Sequence, residues 1–134
     1  MKQSRVAVAA LMFALCGAAH ANDTGEEKIE LVMRQAIPEA AGKNVLIATV
    51  SYTPGLASEA HMHRGSVFAY VLEGHVVSQV EGAAAKTYGP GESWYEAPGS
   101  HHLISRNASK TKPAKLLVFA LVGEQDPVKL PIPK

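Results

Sequence analysis

The chain has 134 residues, 47% of them hydrophobic, with a formal net charge of +1 and a single cysteine. That length suits one domain with its own core, and so small a charge excludes the basic face of a nucleic-acid or anionic-membrane binder. A lone cysteine excludes a disulfide framework.

Lys2 and Arg5 precede an apolar run from Val6 to Ala18, and Ala19-His20-Ala21 reads as a small-x-small cleavage site. The pattern predicts a secretory signal peptide over residues 1–21, with an apolar stretch too short to span a bilayer. Its removal leaves 113 of the 134 residues, takes Cys16 with it, and moves the charge from +1 to −1 through loss of Lys2 and Arg5. A secreted or periplasmic location follows as an expectation, with no membrane partner after removal of the signal.

Residues 22–44 form an N-terminal segment. It is polar from Asn22 to Lys28, and Ile29 to Ile37 is apolar in patches that periodicity leaves open between a strand and a helical turn. Pro38 to Asn44 reads as a turn region. Val45 to Thr53 is rich in β-branched residues and predicts a strand ending at Pro54-Gly55. Glu59 to His63 reads as extended, and Val67 to Leu72 is continuously apolar up to Glu73-Gly74. His75 to Val80 alternates, with Val76 and Val80 on one face, and turns at Glu81-Gly82. After Gly89-Pro90-Gly91 come a short strand at Ser93 to Glu96 and the turn Pro98-Gly99-Ser100. Strands at His102 to Arg106 and Leu116 to Val122 follow. Residues 123–134 are a Pro-rich tail, docked or loose. Many short strands at close turn spacing predict an all-β fold, a sandwich or barrel, with residues 45–122 as the barrel.

His61-Met62-His63 puts two imidazoles on one face of a strand, because side chains alternate with period two. His102 follows the Pro98 turn. Each alone reads as an ordinary polar residue; three together are the usual protein half of a transition-metal site.

The surrounding pattern is more specific. Gly55 to Gly74 reads GLASEAHMHRGSVFAYVLEG and fits G-x(5)-H-x-H-x(3,4)-E-x(6)-G at Gly55, His61, His63 and Gly74. Gly91 to Asn107 reads GESWYEAPGSHHLISRN and fits G-x(5)-P-x-G-x(2)-H-x(3)-N at Gly91, Gly99 and His102. In these motifs the sequence resembles the cupin superfamily, in its small single-domain, conserved-barrel form, from Val45 to about Val122. The departures are Val67, where the motif has glutamate, and Pro98 and Asn107, each one position late.

The resemblance implies a jelly-roll β-barrel. It also implies that His61, His63 and His102 ligate a divalent transition metal: iron, manganese, copper, zinc or nickel. Val67 cannot bind a metal. Glu59 shares the parity of His61 and His63 and is the possible fourth ligand; Glu96, near the second motif, is the other carboxylate. The competing reading leaves both as solvated charges beside a site of three histidines. His101 and His75 read as surface residues.

Parity also turns Val67, Ala69 and Val71 inward and Phe68, Tyr70 and Leu72 outward. A strand apolar on both faces is normally covered on both, here by the segment around Leu31 to Ile37 or by a second subunit, so a homodimer is expected. The expected function is that of an exported metal-binding cupin acting on a small organic anion, with dioxygenase-like cleavage of a carbon–carbon bond as the leading reaction. The alternative is a cupin that binds a metal or small ligand without turnover. An anion is expected because a divalent ion on three neutral imidazoles keeps both positive charges. Ligating histidines must be neutral, so metal affinity should fall as pH drops through the ordinary histidine pKa of about 6.5.

Overall fold

The computed structural model describes residues 27–134; the expected signal peptide lies outside them. Ten strands run β1 (Lys28–Ala36), β2 (Lys43–Tyr52), β3 (His61–Met62), β4 (Val67–Glu73), β5 (Val76–Val80), β6 (Lys86–Tyr88), β7 (Ser93–Glu96), β8 (His101–Asn107), β9 (Ala114–Gly123) and β10 (Leu130–Pro131). They form two five-stranded sheets, β1-β2-β9-β4-β7 and β10-β3-β8-β5-β6, with every pairing antiparallel. No helix occurs among the described residues. The chain therefore folds as the all-β jelly roll that the strand pattern and the cupin motifs predict.

The inner faces of the two sheets differ in chemistry, and that difference creates the site. From the first sheet, Leu46, Ala48, Val50, Val67, Ala69, Val71, Leu116, Ala120 and Val122 are buried. They alternate along each strand as the pleat requires. The second sheet instead buries polar groups: His61, Ser78, His102, Ser105 and Asn107. A largely apolar wall, broken by Glu96 on β7, faces a largely polar one.

The ambiguous N-terminal stretch is a strand: β1 pairs with β2 from Lys28↔Ser51 to Ala36↔Asn44. It extends the sheet edge and does not lie over β4. Leu31, Val32 and Met33 are themselves 58%, 62% and 48% exposed, so the N-terminal segment is not the cover expected for the outer face of β4. Val67, Ala69 and Val71 do point inward, and Phe68, Tyr70 and Leu72 outward. The tail is docked, with Leu130–Pro131 paired to His61–Met62. β6, only three residues long, forms by pairing with β5.

One motif irregularity has a backbone cause. Gln79 pairs with Ile104 and Val80 with His102, so Leu103 is an extra residue in β8. Such a bulge reverses the parity beyond it. His102 and Asn107 are five apart in sequence, yet both are buried. The asparagine is one position late because the strand carries one residue more. It remains functional in the fold: its Nδ2 donates to Thr53 O (3.1 Å) and Lys112 O (2.7 Å), and its Oδ1 accepts from Ser109 N–H (2.8 Å).

Candidate metal centre

β3 is two residues long and is held by its neighbours, not by its own length. His61 pairs directly with His102 on β8 and with Pro131 on β10. His63 follows at the strand's end, where its carbonyl accepts from Gly99 N–H at 2.8 Å. Ring centroids of His61 and His63 lie 4.9 Å apart, and those of His61 and His102 5.1 Å. One ring nitrogen from each of the three histidines lies within 4.8 Å of the others. The residues named from the motif are thus brought together.

Hydrogen bonds set the tautomers. His61 Nδ1–H donates to the carbonyl of Glu59 at 2.7 Å, and His63 Nδ1–H to the carbonyl of Val128 at 2.6 Å. A carbonyl only accepts, so both protons sit on Nδ1 and both Nε2 lone pairs are free. His102 is held at both nitrogens, with Nε2 2.8 Å from Ser78 Oγ and Nδ1 3.1 Å from Glu96 Oε1. The Ser78 hydroxyl can receive Nε2–H, which leaves Nδ1 for an ion.

Burial keeps these rings neutral. It pushes His61 below its ordinary pKa, His63 down to about 4 and His102 down to about 3. The neighbouring imidazoles push His63 and His102 the same way, because one charged ring opposes another. Neutral imidazole is the ligating form.

Glu59 does not join them. Residues 58–60 are outside any strand, so the parity of β3 does not extend back to Glu59, and its side chain is exposed. Only its carbonyl faces the site. The carboxylate that does arrive is Glu96, 2% exposed. Its Oε1 accepts from Trp94 Nε1–H at 2.9 Å, and its Oε2 stands 3.5 Å from His63 Nε2. Burial pushes this carboxyl up to about 7, against the hydrogen bond from Trp94. His101 is turned outward, its Nδ1 3.0 Å from Glu81 Oε2, and His75 is exposed.

The histidines and Glu96 line a cavity of about 50 Å³ whose other walls include Val67, Ala69, Leu116 and Val118. One water needs roughly 10–15 Å³ of such space, so the cavity admits an ion and a ligand of few atoms. Lys129 also lines it, paired with Glu27. Sequence reasoning missed Glu27, which immediately precedes β1, and Val128 and Lys129, which docking of the tail brings to the cavity. Three convergent imidazoles beside a buried, unpartnered carboxylate oxygen fit a divalent transition metal.

The sequence profile of the Cupin domain family matches residues 48–120. No curated protein matches the chain. Among solved structures, DMSP lyase DddQ from Ruegeria pomeroyi is 19% identical with a TM-score of 0.65, over 90% of this chain and 59% of the lyase chain. TT1209 from Thermus thermophilus is 27% identical with a TM-score of 0.58, over 73% of this chain and 85% of that one. Recombinant oxalate oxidase in complex with glycolate is 18% identical with a TM-score of 0.63, over 83% of this chain and 57% of the oxidase. This chain therefore spans less than two thirds of the lyase and oxidase chains.

Proposed function

The chain belongs to the cupin domain family, and from that premise we propose that it is an exported metal-dependent enzyme acting on a small organic anion. The leading reaction is dioxygen-dependent cleavage of a carbon–carbon bond. One observation carries the reading: three neutral imidazoles whose donor atoms lie within 4.8 Å of one another, in a small and largely apolar cavity. His61, His63 and His102 would hold a divalent metal there, and that ion would supply Lewis-acid chemistry and, if redox-active, oxidative chemistry to a small anion. The chain's own part is to hold the imidazoles in the ligating tautomer, to exclude bulk water with Val67, Ala69, Leu116 and Val118, and to keep Lys129 near the cavity as a cation. Oxalate oxidase bound to glycolate supports the choice of small carboxylates as substrates, through its shared fold.

Oxygen uptake by the metal-loaded protein across a panel of small hydroxy-, oxo- and dicarboxylates tests this. Uptake with at least one, absent from metal-free protein, is the expected outcome. Carboxylate binding by calorimetry with no uptake in any case would favour the alternative of a metal or ligand carrier without turnover.

The protein acts as a homodimer through the outer face of the first sheet. Phe68, Tyr70, Leu72, Tyr95 and Phe119 are 38–50% exposed there, and the Phe68 ring packs tilted against Tyr95 and edge-on against Phe119 at centroid distances of 5.1 and 6.1 Å. An apolar patch of this kind marks an interaction surface. Purified from its native host, the protein should start at Asn22 and sediment as a dimer, and Phe68→Glu should sediment as a monomer. A monomeric wild type would end the dimer reading, and an N-terminus at Met1 the export reading.

A further inference from the structure

We propose that Glu96 is the fourth protein ligand of the metal, a carboxylate moved from the motif's own strand to the strand beside it. The inference rests on the reading that His61, His63 and His102 hold a metal ion.

Register is the starting point. Val67, where the motif has glutamate, pairs with Glu96 across β4 and β7, and each is 2% exposed on the same inner face. Cross-strand partners have Cβ atoms only about 4.5–5.5 Å apart. A carboxylate at 96 therefore reaches the space that one at 67 would reach.

The atoms facing one another make the need explicit. His63 Nε2 is a lone pair, because its proton is on Nδ1 and engaged by the Val128 carbonyl. Opposite it, 3.5 Å away, stands Glu96 Oε2, the one buried side-chain oxygen or nitrogen among the described residues that has no hydrogen-bond partner. With Glu96 ionised, two acceptors face each other away from water and leave a buried group unsatisfied, at about 1–3 kcal/mol; without a metal, a proton shared between them is the alternative. A cation between them removes that cost.

Spacing agrees. Bonds of about 2.0–2.2 Å at tetrahedral or octahedral angles set adjacent donor atoms roughly 3–3.5 Å apart. The two oxygens divide the contacts: Glu96 Oε1 lies 3.1 Å from His102 Nδ1, and Oε2 3.5 Å from His63 Nε2. Trp94 Nε1–H on Oε1 fixes the carboxylate plane, as outer hydrogen bonds do for ligands generally.

Binding of Zn²⁺ alone, by competition titration, and the visible spectrum of the Co²⁺ form test the assignment. Glu96→Gln keeps the shape and the Trp94 bond but removes the anionic donor. Its Zn²⁺ dissociation constant should rise on the order of 100-fold or more, beyond what a supporting residue costs, and the Co²⁺ spectrum should change. The paired exchange Val67→Glu with Glu96→Val should recover affinity to within about tenfold of the wild type. Glu96→Gln with wild-type Zn²⁺ affinity and Co²⁺ spectrum would overturn the role of Glu96 and leave the histidines as the site. A folded exchange variant as weak as Glu96→Gln would overturn the register argument. Wild-type protein that binds no Zn²⁺ would overturn the metal reading itself, and Glu96 with it.

Discussion

Alanine at His61, His63 or His102 should leave the purified protein essentially free of metal, with affinity losses beyond the roughly 10–100-fold that outer-shell changes cost. His101→Ala and His75→Ala should retain full metal content, because their rings face solvent. Elemental analysis after dialysis against metal-free buffer decides the matter. Equal metal in His102→Ala and wild type would remove His102 from the site.

The pH dependence follows from burial. Sequence alone places acid release of the metal near the ordinary histidine value of about 6.5. Burial instead holds His63 at about 4 and His102 at about 3. These rings stay neutral through mild acid, and the proton that competes with the metal is on Glu96, raised to about 7. Affinity should rise with pH up to about that value, approaching tenfold per unit for one released proton, then level off. Glu96→Gln should flatten this slope, and only below about 4 should His63 and His102 contribute. For the metal-free fold the signs oppose. Glu96 has a folded pKa above its unfolded one, so its contribution to stability declines as pH rises from about 4.5 to about 7. The histidines have depressed folded values, so theirs is lost as pH falls below about 6.5.

The parts of the fold that were legible are those where local pattern and global pairing agree. β2 is legible as a strand from its β-branched residues, and its burial alternates as a strand's does. His61 and His63 could be placed together because they are two apart, and His102 because a second motif located it. Glu96 could not be oriented from sequence, since its importance comes from being opposite Val67, a fact of strand pairing between β4 and β7. Glu59, open in the sequence between fourth ligand and solvated charge, could not be decided there because period two holds only within a strand, and β3 begins at His61. The late asparagine needed the bulge at Leu103, which no residue type announces. Val128 and Lys129 reach the site only through a tail whose strand pairing is two residues long.

The other large effect is expected at a residue no motif names. Gly65 lies between His63 and β4, and a Cβ built on it would stand 1.5 Å from the carbonyl oxygen of Leu121 and 2.7 Å from its carbonyl carbon. Its φ is not in the left-handed region, so space and not conformation demands glycine. The opposing atoms are backbone and cannot swing aside as a side chain can. Leu121 is fixed from both directions: it pairs with Val45 on β2, and its N–H donates to Ser66 O at 2.9 Å. Relief therefore requires parting the loop from β9, the strand between β2 and β4. Gly65→Ala should destabilise the protein by at least about 4 kcal/mol, the range kept for backbone and core disruption, and any folded fraction should bind metal poorly because the same loop carries His63. Gly82→Ala is the control. There φ is +84° and nothing lies within 4 Å of the added Cβ, so only the left-handed conformation is penalised, by roughly 1–2 kcal/mol. Urea denaturation of the two variants separates space from conformation. If Gly65→Ala unfolds within about 1 kcal/mol of the wild type, the loop and β9 are not in the close contact that positions His63 beside His61.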